Sequence, residues 1–409
     1  MTAPSTRPET HATSVRLEAL LFLGLIWFVG VNLRTVILTI PPLLPDLRHD
    51  LSLSYSAAGL LISLPGLCMG LGAVPGAVLI ERFGARAVVA ACLLILAVAG
   101  AARGVGPVAP LFVGSVVAYL AVAFMQPAIA VALRTWRPAA VRLGTSIYAS
   151  GLMAGAILAA ALSSTILTQL FGSWHGVLIL WTLPILIALT LWMRQTRGMP
   201  GTRVRPGNWR GGWLDGAVWR IGILFGLQSV VFFSAGWLPT YYQTLGLGRE
   251  GAAAVFTVFT CAQFLATLLY GALTSRLPSP RVLSTGCSIL AIAALIAVIW
   301  LPLTFPLLWS AVLAGALSVI FTICLTLPAQ LAPLERVGAA SSLVLTVGYL
   351  ATFLGAFAGG AAWDALHQPA ATFYPALGAA VVMVGLAASV PEHLPGRLAM
   401  PVKEASECH

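Results

Sequence analysis

Charge is what this chain lacks. Only 8% of its 409 residues are Asp, Glu, Lys or Arg, and twelve of those are acidic. A soluble fold clothes its core in polar side chains, and with 59% of residues hydrophobic there are too few to do so. Acidic residues and histidines are missing from the interiors of the long apolar runs, which argues against a proton relay in mid-membrane. The six cysteines show no CxxC or metal-ligand spacing, and five of them (Cys68, Cys92, Cys261, Cys287, Cys324) sit in apolar runs as small packing residues. No metal or other cofactor is expected. Period-two alternation is absent too, against a β-barrel. Residues 1–17 are polar and the first apolar run is long enough to stay in a bilayer, so no cleavable leader is expected. An enzyme is not expected either: His175, Asp364 and His367 fall near one membrane face, but nothing beside them completes a triad or a ligand set.

What the chain has is apolar length. A hydrocarbon layer about 30 Å thick is crossed by about 20 helical residues. Such runs occur at about 18–45, 54–80, 86–103, 108–134, 140–169, 174–194, 218–245, 251–275, 281–300, 304–332, 338–363 and 371–391. They predict an all-α membrane protein with twelve transmembrane helices. With the N-terminus inside, 18 of the 22 Lys and Arg lie on the cytoplasmic side, and Arg48, Arg103 and Arg249 lie opposite. Both termini are then cytoplasmic. The net charge of +10 reports topology, so no nucleic-acid partner is expected; the lipid bilayer is the surrounding partner.

Arg34 is the one charge left in the membrane on this reading. Along a helix it lies roughly 24 Å from Glu18 and roughly 18 Å from Asp46, close to the midplane. An arginine there costs about 2.5–3.5 kcal/mol on insertion scales, so something must compensate. An anionic small molecule is the simplest candidate; an internal tie to carbonyls or hydroxyls of other spans is the bland one.

The Arg-, Gly- and Trp-rich stretch from Arg194 to Arg220, with Trp209 and Trp213, divides the spans six and six. The expected organisation is an N-terminal tail (1–17), a six-helix bundle (18–194), a basic cytoplasmic linker (195–217), a second six-helix bundle (218–391) and a C-terminal tail (392–409). The halves share features at one spacing. Leu79 and Leu273, Arg82 and Arg276, Arg142 and Arg336, and Pro45 and Pro239 are each 194 residues apart. A single recurring offset implies two parallel repeats about an axis along the membrane normal.

These features resemble the major facilitator superfamily. The superfamily's loop motif is Gly-x-Leu-x-Asp-Arg-x-Gly-Arg. Here Ala77 stands at the first glycine, Leu79 at the leucine, Glu81 and Arg82 at the acidic-Arg pair and Gly84 at the second glycine, with Ala85 at the last position and Arg86 following. The second copy keeps Gly271, Leu273 and Arg276 but has Ser275 at the acidic position. The resemblance implies two pseudo-twofold six-helix bundles, and that Glu81, Arg82, Gly84, Arg86 and Arg276 belong to a gating loop that latches the cytoplasmic ends. Positive-inside topology alone would also explain these charges. Asn32-Leu33-Arg34 and the prolines after it are similar to the cyanate and 2-nitroimidazole transporter family. That implies transport of a small anion or compact polar molecule through a bacterial inner membrane by a chain acting as a monomer.

In such repeats the substrate site lies between the halves, lined by the first helix of each triplet. The offset takes Arg34 to Gln228, an amide facing a guanidinium across the cavity. Asn32 points elsewhere on its helix and suits an interhelical bond as well as a ligand. Tyr119, Ala123 and Gln126 share a face of span 4. Tyr148, Gln263 and Tyr349 are further candidates for substrate contact, and Trp237 could form an aromatic wall. Each of these could equally be a packing or interhelical group.

Without an intramembrane acid or histidine, a uniporter or anion exchanger is expected, with symport of a proton on the substrate still open. Span 5 reads YASGLMAGAILAA and lacks the Gly-Pro of the drug-antiporter motif. The alternative on the same fold is an exporter of nitroimidazole-like or other small drug-like compounds.

Overall fold

A computed structural model of the chain describes residues 9–199, 216–273, 276–331 and 337–390. The tails at 1–8 and 392–409, the linker's 200–215 with Trp209 and Trp213, and the repeat positions Ser275 and Arg336 lie outside the described residues. Twelve helices are long and apolar enough to cross a bilayer, and no strand occurs among the described residues. They are spans 1 (Ala19–Leu51), 2 (Tyr55–Gly72), 3 (Val78–Arg103), 4 (Val108–Trp136), 5 (Leu143–Phe171) and 6 (Trp174–Gln195), then 7 (Gly216–Thr244), 8 (Gly248–Leu273), 9 (Pro280–Trp300), 10 (Pro306–Leu327), 11 (Leu343–Leu366) and 12 (Pro369–Ala387). The chain is a multi-pass membrane protein.

Two sequence-encoded breaks shape the bundle. Near the start of span 3 the helical run from Tyr55 to Arg103 turns at Gly84, with φ 79° and ψ 155°, a backbone conformation open to glycine and strained for other residues. The motif's second glycine is therefore a steric requirement. The first helix of each half is also discontinuous. Span 1 breaks at Thr39 before Pro41 and Pro42, and span 7 breaks into a tighter turn at Ala235–Trp237 before Pro239. Proline removes a backbone donor and crowds the preceding turn, so the regular hydrogen-bond ladder is interrupted there. The 194-residue offset places Thr39 level with Phe233, two residues before the second break.

Within each half the same pair of helices packs closely, span 1 on span 5 and span 7 on span 11. A side chain at Gly155 would start 2.2 Å from the Val31 carbonyl oxygen, and one at Gly355 would start 2.3 Å from that of Val230. Small residues here let backbones approach where lipid offers no hydrophobic drive. Between the halves, span 2 runs along span 11 and span 8 along span 5. The end of the bundle that carries the Gly84 turn is called the linker end, and the end carrying the span 1–2 and 7–8 turns the far end.

One expectation is corrected. Arg34 is not the only buried charge: Arg103, expected on the face opposite the cytoplasm, is 2% exposed. Its Nη1 donates to the Val36 carbonyl at 2.9 Å, three residues before the span 1 break, and its Nη2 to the Tyr119 hydroxyl at 3.4 Å. In a water-poor interior a buried guanidinium needs acceptors, and this long flexible side chain at a span end reaches inward to a backbone carbonyl of span 1. Position along the sequence gives no hint of that.

Candidate functional site

Three cavities lie along the seam between the halves. The far-end cavity, of about 40 Å³, is lined by Arg34, Pro41, Pro65, Phe232, Phe256 and Gln263, among others. Next to it, a cavity of about 60 Å³ takes Arg34, Gln228, Gln263, Ser318 and Tyr349, with Phe232, Phe233 and Phe321 around them. Toward the linker end a larger one, about 350 Å³, is bounded by Met69, Gln126, Tyr148, Thr346 and Tyr349. Arg34 borders the first two, and Tyr349 borders the second and third.

Arg34 stands partly buried on span 1, one and a half turns before the break. Among the described residues the ion pairs are His49–Asp50 and Asp46–Arg249, and neither touches it. Its Nε is buried without a hydrogen-bond partner. Tyr148 and Tyr349 lie within electrostatic range of the guanidinium. Such a group can bind an anion through up to five donors held in one plane.

Gln228 is 2% exposed and borders the middle cavity, as the repeat offset suggested. Its Nε2 donates to the Leu317 carbonyl at 3.2 Å, and its Oε1 accepts from the Ser229 hydroxyl at 3.4 Å. The amide thus fastens span 7 to span 10 as well as facing the cavity. Gln263 joins Arg34 in both smaller cavities, while Gln126, Tyr148 and Tyr349 gather around the largest.

Three sequence candidates are placed elsewhere. Asn32 is buried with its Nδ2 donating to Phe28 O at 2.8 Å on its own helix. Tyr119 shares a face with Ala123 and Gln126, but one turn toward the far end that face is covered by Arg103. Trp237 is fully buried, donates through Nε1 to Ala356 O at 2.9 Å, and packs beside Tyr55 and Trp363. The aromatic wall is supplied instead by Phe232, Phe233, Phe256 and Phe259. Helical spacing carried a signal for two of these: Phe259 and Phe256 are four and seven residues before Gln263, on the same face.

Of the residues expected to gate the cytoplasmic ends, Glu81, Arg82 and Arg276 are exposed, Gly84 is buried, and the Arg86 carbonyl accepts from Trp192 Nε1 at 3.1 Å. Among the described residues none of these charges forms an ion pair. The far end is tied across the halves instead. Arg249 Nη2 donates to Asp46 at 2.6 Å, and Asp364 accepts from the backbone N–H groups of Tyr55 at 3.0 Å and Ser56 at 2.7 Å.

Twelve helices in two repeats, with polar side chains facing a cavity at their seam, define a membrane transporter of the secondary type. The family model of the Major Facilitator Superfamily matches residues 20–255, more than half of the chain, and the protein belongs to that superfamily. The chain is 28% identical to the cyanate transport protein CynX of Escherichia coli K12, over 73% of this chain and 78% of that one. It is 26% identical to the "Probable nitrate/nitrite transporter NarK2" of Mycobacterium tuberculosis, over 80% and 84%. In three dimensions it superimposes with a TM-score of 0.74 on a bacterial homologue of the human lysosomal transporter Spinster, solved inward-facing and occupied, at 18% identity over 90% and 95% of the two chains.

Proposed function

We propose that this chain carries a small monovalent anion, cyanate-like or a small carboxylate, by alternating access, with Arg34 as the anion-binding group and Gln228 opposite. One observation carries this reading: a guanidinium without a carboxylate partner among the described residues lines the seam cavities, its Nε unsatisfied. A single cation among aromatic walls suits one negative charge, and a divalent ion would remain half-neutralised in a low-dielectric site. Two relatives are named for cyanate and for nitrate or nitrite, all compact monovalent anions.

Alternating access accounts for the asymmetry of the ends. The far end is tied across the halves and the largest cavity lies toward the linker end. Given the distribution of Lys and Arg, the linker end faces the cytoplasm of a bacterial inner membrane and both termini lie there. This conformation is then inward-facing. Glu81, Arg82, Arg86 and Arg276 would pair when the linker end closes. The chain acts as a monomer, as a uniporter or exchanger.

The test is anion uptake into proteoliposomes. Arg34→Ala should abolish it, and Arg34→Lys should retain charge but lose the planar fork, cutting affinity by about tenfold or more. Wild-type uptake in both variants would sink the reading. The four phenylalanines around the far-end cavity favour one alternative, export of a flat neutral compound such as a nitroimidazole. Resistance that persists in Arg34→Ala but fails in Phe256→Ala would select it.

A further inference from the structure

Span 10 carries four hydroxyl side chains, and three of them are spent locally. Ser310 donates to Leu307 O at 2.9 Å, Thr322 to Ser318 O at 2.8 Å, and Thr326 to Thr322 O at 3.0 Å. A helical hydroxyl in an apolar setting normally finds such a carbonyl one turn back. Ser318 does not. It is 1% exposed, its Oγ has no hydrogen-bond partner, and it borders the middle cavity together with Arg34.

We propose that Ser318 is a substrate-binding residue whose hydroxyl donates to the anion held by Arg34; this rests on the reading of Arg34 given above. A buried hydroxyl without a partner is costly, and an anion in the adjoining cavity relieves that cost. Its placement is enforced by its neighbour. Gln228 donates to the carbonyl of Leu317, the preceding residue, which locks span 10 against span 7. The middle cavity is therefore bordered by two unsatisfied donors from opposite halves, Arg34 Nε on span 1 and Ser318 Oγ on span 10. An ion touching both couples the halves, and it needs acceptors on more than one side. Cyanate, with acceptors at both ends, and nitrate, with three oxygens, meet that demand.

The experiment is thermal unfolding of the purified full-length protein with and without sodium cyanate or sodium nitrate, paired with uptake in proteoliposomes. Ser318→Ala removes a hydroxyl that makes no hydrogen bond within the protein, so the ligand-free Tm should stay level or rise. The apparent affinity for the anion should fall by roughly ten- to a hundredfold, the range for a hydrogen bond to a charged group. Ser318→Thr keeps the hydroxyl and should restore part of the binding. A marked loss of ligand-free stability in Ser318→Ala would make the hydroxyl structural and overturn the proposal. Wild-type affinity in Ser318→Ala, with binding lost in Arg34→Ala, would also overturn it while leaving the function intact. Binding indifferent to Arg34→Ala would bring down both.

Discussion

The two flanks of the far end occupy equivalent places in the repeats yet are closed by different chemistry. Tyr55 opens span 2 and Arg249 opens span 8, and they are 194 residues apart. On the Arg249 flank, closure is a guanidinium reaching Asp46 at 2.6 Å and the Ser164 carbonyl at 3.4 Å, with the two charged side chains 38% and 22% exposed. On the Tyr55 flank, the ring stacks on Trp363 at 3.8 Å with Arg48 over it at 3.3 Å, and Asp364 caps the first N–H groups of span 2. The backbones differ to match. Span 2 places Gly59 where span 8 has Ala253, and Gly66 where span 8 has Thr260. Duplication preserved the placement of the helices, and the contact chemistry then diverged: one flank is a lone ion pair, the other a stacked, capped and glycine-tight seam.

That contrast can be broken from its strongest point downward. A side chain at Gly59 would start 2.4 Å from the Ala356 carbonyl oxygen, a backbone atom that cannot swing aside. Gly59→Ala, which copies the residue of the other flank, should therefore cost the far-end-closed state about 1–3 kcal/mol. Distances between spin labels on the far ends of the two halves would report the shift toward separation. Unchanged distances would mean that the tight seam does not control closure.

Asp364→Ala should come next. It strips span 2 of a cap supplied from the opposite half, a loss of about 1–2 kcal/mol, and the same labels should show a smaller opening. Asp46→Asn should matter least, under about 1 kcal/mol, because a single partly exposed pair contributes little. Its effect should shrink further at high ionic strength, whereas that of Gly59→Ala, which is steric, should persist. If Asp46→Asn opened the far end more than Asp364→Ala, the ranking of the flanks would be reversed. Combined, the two changes should add within about 0.5 kcal/mol, since they act on separate contacts.

Much of the candidate site was legible before any coordinates. Arg34 was marked by its cost in lipid, and the repeat offset led from it to Gln228, which borders the same cavity. Gln126, Gln263, Tyr148 and Tyr349 stood out as polar groups in apolar helices, and all four border seam cavities. The same rule also marked Asn32, Tyr119 and Trp237, each of which makes a hydrogen bond within the protein. Polarity identifies a group that needs a partner; it does not say whether that partner is a ligand or a neighbouring helix.

The number of spans, the twofold repeat and the turn at Gly84 are readable along the chain alone. Bilayer thickness and backbone sterics act on short stretches of chain, and so they are written locally. Only the tertiary structure decided that Arg103 turns inward to Val36, that Asp364 caps a helix 308 residues away, and that Ser318 alone of its helix's hydroxyls has no partner. Each of these depends on how a helix is rotated about its own axis. Packing against distant neighbours sets that rotation, and no single span encodes it.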